Sequence, residues 1–155
     1  MSQEIIVVNY STSYLRDLQE ILSEYRDPTG RTLSRDEIDK IISSAVEEQP
    51  DGIFIAISRR DVVGLLIASL NRFGVACIDH LQVRRDWTGK KVEYKLMDKC
   101  LSWAKRKGAR IIYAKVADND TTAIELYRKS GFKISGYIPR YYGKDVDAII
   151  FVRQL

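Results

Sequence analysis

The segment Val83-Arg84-Arg85-Asp86-Trp87-Thr88-Gly89-Lys90-Lys91 joins an apolar β-type run to a helical one, and its residue types suit an anion. Gly89 allows a tight turn. The backbone N–H groups of residues 89 to 94 would open the next helix without intrahelical partners, and such a helix end attracts phosphate. Arg84, Arg85, Lys90 and Lys91 add four cations there. A pyrophosphate cradle is the chemistry this implies. An ordinary basic loop capping a helix has the same residues, and the segment alone leaves both readings open. Two further residues have suitable chemistry. Tyr127 sits on an amphipathic helical stretch, where a phenol is either a core side chain or a proton donor at neutral pH. His80, the single histidine, lies on an apolar strand, where it either packs or relays a proton through water; the neighbouring Asp79 is the alternative relay.

The elements that must position these residues are legible from periodicity. Glu4 to Asn9 reads as a strand and Thr12 to Tyr25 as a helix, ended by the turn cluster Asp27-Pro28-Thr29-Gly30. Ser34-Arg35-Asp36-Glu37 has the pattern of a capping box for a helix running to Glu48. Pro50-Asp51-Gly52 turns the chain into three strands in succession, Ile53 to Ser58, Val62 to Leu70 and Val75 to Val83. A helix from Lys90 to Lys107 follows, stopped by Lys105-Arg106-Lys107-Gly108. Arg110 to Ala117 is a strand, Asp120 to Lys129 a helix, and Phe132 to Tyr137 and Ala148 to Val152 are the last strands. The strand–helix–strand crossover implies a locally parallel pair with a right-handed connection. The helix start then points toward the carboxyl end of the strand before it.

The 155 residues are 45% hydrophobic and 30% charged, a globular composition expected to form one domain over residues 1–155. No apolar run approaches a membrane span. Met1 to Tyr10 lacks the basic and apolar regions of a secretory signal, so a cytoplasmic location is expected. Cys77 and Cys100 with one histidine do not make a ligand set, and no metal is expected. The net charge of +4 comes without a nucleic-acid-binding motif, which argues against a nucleic-acid partner.

Thr122-Ala123-Ile124-Glu125-Leu126-Tyr127-Arg128-Lys129-Ser130-Gly131-Phe132 resembles the A-x-x-L-Y-x-x-x-G-F signature of the GNAT acetyltransferases. Val83 to Leu96 is similar to that family's acetyl-CoA loop in length and placement. The resemblance implies an α/β (α+β) fold, with a central mixed, mostly antiparallel sheet of six to seven strands flanked by four helices. It implies transfer of an acetyl group from acetyl-CoA to a primary amine by direct attack in a ternary complex. Leu81, Gln82 and Val83 would flank the thioester arm with backbone groups. Gly89, Lys90, Lys91, Val92, Glu93 and Tyr94 would hold the pyrophosphate, and Asn119 and Asp120 complete the cofactor set. Tyr127 would protonate the departing thiolate, with His80 as a candidate base. The tail from Arg140 to Ile150 looks like the Y-Y followed by D-A of protein N-terminal acetyltransferases, including those acting on ribosomal proteins. It implies a protein or peptide amine as acceptor, with Tyr142 positioning it; a small amine is the alternative. A monomer or homodimer is expected.

The sequence departs from the family pattern at informative places. The two glycine-type positions of the loop are Lys91 and Glu93, so reduced CoA affinity or a rearranged turn is expected. Lys115 stands where the N-terminal acetyltransferases often have a glutamate base, and Asp120 where an asparagine is usual. A non-catalytic binding module with a degenerate CoA loop is therefore a further alternative.

Overall fold

The computed structural model describes residues 4–89 and 91–155. In chain order the strands are β1 (Ile5–Asn9), β2 (Ile53–Ser58), β3 (Asp61–Leu70), β4 (Val75–Val83), β5 (Ile111–Ala117), β6 (Lys133–Gly143) and β7 (Val146–Gln154). The helices are α1 (Leu15–Glu24), α2 (Arg35–Glu48), α3 (Val92–Arg106) and α4 (Thr121–Lys129). The seven strands form one sheet in the order β1-β2-β3-β4-β5-β7-β6. Every neighbouring pair is antiparallel except β4 and β5, which run parallel. The mixed sheet and four helices match the expected architecture. None of the described helices is long and apolar enough to cross a membrane.

Strand side chains alternate between faces, and this sorts the core into two layers. Leu65 and Ile67 of β3 pack with Leu18, Ile21, Ile38 and Ile42 of α1 and α2. Leu66 and Ala68 of the same strand face the other way, toward Leu96, Met97 and Cys100 of α3. The β4 side chains Ala76 and Ile78 join that second layer, as do Ala114 and Val116 of β5. Gly64 permits the close approach of α3, since a Cβ there would stand 3.2 Å from both Leu96 and Val92.

The local signals act as their chemistry requires. Ser34 accepts from the Glu37 backbone N–H at 3.1 Å and Glu37 returns a bond to the Ser34 N–H at 3.0 Å, so both halves of the capping box form. The last hairpin is longer than periodicity alone suggests. β6 continues past Tyr137 to Gly143 because its ladder with β7 shifts register between Ile138 and Gly143. Pro139 and Arg140 interrupt the alternation there. Arg140 has φ +56°, and its N–H is taken by the Asp147 carboxylate at 2.9 Å.

Candidate active site

The parallel ladder of β4 and β5 is short. It pairs Val75 with Ile111, Ala76 with Ile112 and Cys77 with Tyr113, and then stops. β4 bends away through a bulge. Ile67 of β3 pairs with His80 and the next residue, Ala68, with Ile78, so Asp79 is the extra residue. A bulge of this kind increases local twist and turns a strand out of its ladder. The carboxyl-terminal parts of the two strands therefore part. The opening is a cavity of about 830 Å³, lined by residues 77–83 of β4 and 115–117 of β5.

The start of α3 faces this cavity. Thr88, Gly89, Lys91, Glu93 and Tyr94 line it. Gly89 has φ +80°, and among the described residues beyond its chain neighbours nothing lies within 4 Å of where its Cβ would be. Lys91 is the residue preceding the helix and has φ +69°, a left-handed conformation that favours glycine. The turn thus keeps glycine-type backbone geometry at a lysine. Val92 is fully buried in the core and its side chain does not line the cavity; only its backbone is at the helix end. Lys90 lies outside the described residues.

Arg84 corrects the count of cations at that end. Its guanidinium turns away toward α1, 3.1 Å from Glu20, 3.4 Å from Glu24 and 3.8 Å from Asp17. Nε donates to the Val62 carbonyl at 2.6 Å, and the Arg85 N–H donates to Glu24 at 3.2 Å. These bonds fix the strand–helix join against α1 rather than serving an anion.

Tyr127 enters the same cavity from α4. Its ring stacks on Phe151, with centroids 5.7 Å apart, and meets Phe132 edge-on at 5.1 Å. Burial pushes the phenol well above its ordinary 10.0, so it keeps its proton. Asp120 lines the cavity but is committed to α4: its carboxylate caps the helix by accepting from the Ala123 N–H at 3.0 Å. Asn119 is exposed and does not line the cavity.

His80, Leu81, Gln82 and Val83 line the β4 wall. His80 pairs with Ile67, which packs toward α1 and α2, so its ring faces that layer. Burial lowers its pKa below 6.5, and the charge of Asp79 works in the other direction. Tyr142 lines the same region and donates to the Lys115 carbonyl at 3.3 Å. Its phenol is pushed up to about 12 by burial, with Tyr25, Tyr141 and Asp120 adding to the shift. Tyr25 and Pro28, from the turn after α1, complete the rim with Tyr141. Tyr25 and Pro28 carried no sequence signal as site residues, and Tyr141 entered only through the Y-Y of the tail. They come from segments more than a hundred residues apart, and only folding makes them neighbours.

A model described as the acetyltransferase (GNAT) family matches residues 15–132, more than half of the chain. Among solved structures, Ard1 from Thermoplasma volcanium aligns over 97% of each chain with a TM-score of 0.84 at 20% identity. A structure of the NatC complex bound to Gag peptide and CoA aligns over 98% of this chain and 99% of that one, with a TM-score of 0.84 at 16% identity. The ribosomal-protein-S18-alanine N-acetyltransferase from Escherichia coli aligns over 97% and 94%, with a TM-score of 0.81 at 18% identity. At these identities the likeness is one of fold. No curated protein matches the chain by sequence. Because the family model spans both the strand–helix join and the Tyr127 helix, the chain belongs to the acetyltransferase (GNAT) family.

Proposed function

We propose that the protein transfers an acetyl group from acetyl-CoA to a primary amine, with a protein N-terminus or a lysine side chain as acceptor. One observation carries this reading: a single cavity is lined by both the start of α3 and Tyr127, and it passes between the parted strands β4 and β5. The open space at Gly89 and the helix start that lines the cavity suit a diphosphate, which main-chain N–H groups at a helix start hold well. Lys91 adds a cation there. Glu93 lines the same end and opposes an anion, so weakened affinity is part of the reading. Bound in this cavity, acetyl-CoA supplies an acetyl group activated as a thioester.

The chain's own residues then have definite tasks. The parting of β4 from β5 frees main-chain groups of Leu81, Gln82 and Val83 from the parallel ladder, and these orient the acyl arm. Tyr127 holds a proton on Oη and can deliver it to a departing thiolate. His80, neutral at pH 7, can accept the amine's proton directly or through water, with Asp79 beside it. Tyr142 is a candidate to position the amine. Most of the acceleration would come from holding amine and acyl group together.

The acceptor class draws support from the tail, Arg140-Tyr141-Tyr142 through Asp147-Ala148, and from the peptide bound in the NatC structure. A small amine is the second acceptor class. Lys91 and Glu93 at the helix end favour another reading, a binding module that retains the fold without turnover. Calorimetry with acetyl-CoA followed by turnover on a peptide panel separates them. Binding and turnover that falls at least about 100-fold in Tyr127→Phe supports the enzyme. No heat at high acetyl-CoA concentration, and no turnover, supports the module.

A further inference from the structure

We propose that the site selects an acceptor whose amine carries a carboxylate within a few bonds, with Asp79 receiving the ammonium and Lys115 the carboxylate; this rests on the acetyltransferase reading above. The argument starts from the end of the parallel ladder. Cys77 and Tyr113 are its last partners, and two residues beyond them stand Asp79 and Lys115. In a continued ladder these opposite charges would meet as a cross-strand pair. The bulge at Asp79 prevents this by parting the strands. Both side chains line the cavity, and neither makes an ion pair among the described residues.

Both charges line the cavity just past the last rung of the ladder. Ala114 and Val116 take the core face toward α3, so Lys115 points to the opposite face. Its ammonium lies 5.4 Å from the centroid of the Tyr141 ring. The Asp79 carboxylate accepts a hydrogen bond from the Cys77 thiol, and its charge reaches Tyr113 and also Cys100 of the α3 layer, while Lys115 acts on Cys77 in the opposite sense. The other charged lining groups are accounted for. Glu125 and Lys129 pair at 2.8 Å, Asp120 caps α4, and Lys91 and Glu93 belong to the α3 end.

A carboxylate at the Lys115 position could accept a proton from an amine, but an ammonium cannot. Its charge discriminates instead. A lysine-rich or otherwise cationic acceptor meets repulsion, and an acceptor with an acidic group beside its amine meets complementary charge on both sides. The first residue of a peptide, if Asp or Glu, has this chemistry, and so does a free amino acid.

The test uses the full chain with saturating acetyl-CoA and compares kcat/KM across two sets of acceptors. One set is peptides differing only in the first residue: Asp, Glu, Ala or Lys. The other is free alanine and valine against their α-carboxamides, which lack the carboxylate. The expected result is a preference of about tenfold for the acid-bearing member of one set, and that set identifies the source. The preference should vanish in Lys115→Met and reverse in Lys115→Glu. The ratio is internal to each variant, so a general loss of activity does not mimic it. Preference for neutral or lysine-first acceptors, or a ratio unmoved in both variants, overturns the inference and leaves the acetyltransferase reading standing. Absence of transfer to every acceptor overturns both.

Discussion

Cys77 and Tyr113 form the last rung of the parallel ladder between β4 and β5, and the cavity begins immediately beyond them. The side chains available for chemistry lie where the sheet stops being a sheet. Backbone groups past that rung have no strand partner across the gap, so they can serve a ligand. The following predictions test separate parts of this arrangement.

Lys91→Gly tests the turn. A non-glycine residue at φ +69° costs about 1–2 kcal/mol, and glycine at the same place loses about 0.5–1 kcal/mol of unfolded-state entropy. The expected net is a gain of up to about 1 kcal/mol in unfolding free energy, measured by denaturant titration. If Lys91 contributes a cation to the bound diphosphate, acetyl-CoA affinity falls in the same variant. Stability and affinity then move in opposite directions.

Glu93→Gln should show the reverse pairing. A carboxylate in the first turn of α3 favours the helix by about 0.3–1 kcal/mol, which the amide gives up. An anion at the helix start is repelled less once the charge is removed. Calorimetry should report tighter acetyl-CoA binding by a few-fold, while thermal denaturation reports a slightly lower midpoint.

Arg84→Met removes the link between α1 and the strand–helix join. Three carboxylates lose their shared cation, and the Val62 carbonyl loses its 2.6 Å donor. The carboxylates are partly exposed, which limits the electrostatic part, so a loss of about 1–3 kcal/mol is expected. The difference between wild type and variant should shrink at high salt. A cost independent of salt would mean that packing, not charge, makes the link.

His80 sets a pH dependence with a defined sign. Burial depresses its folded-state pKa below 6.5, so between that pKa and 6.5 the unfolded chain binds more protons. Its contribution to stability is complete above 6.5 and declines as pH falls through the folded pKa. His80→Gln should flatten this part of the stability profile. If the imidazole also accepts the amine's proton, the acid limb of kcat/KM lies below pH 6.5 and moves in the same variant.

The order of elements was readable because each carries a local signal. The Ser34 capping box, the Lys105-Arg106-Lys107-Gly108 stop and the β-rich runs before and after Asp61 all act within a few residues of themselves. The last hairpin was harder to read. Arg140 and Asp147 meet across a register shift that leaves no periodic trace. Arg84 shows the same limit at the site: its charge is visible in the chain, but its partners lie some sixty residues earlier.

By itself, the sequence determined the elements, their order, the glycine-marked turn before α3 and the phenol on α4, since propensity, capping and spacing are short-range properties. Tertiary structure alone decided which charges are free and which are spent on packing. It also decided where the parallel ladder ends and which aromatics from distant segments, Tyr25 after α1 and Tyr141 of β6, close around the gap. Those outcomes depend on how strands twist against one another and on which face each side chain is buried, and such long-range geometry is not encoded in any single stretch of residues.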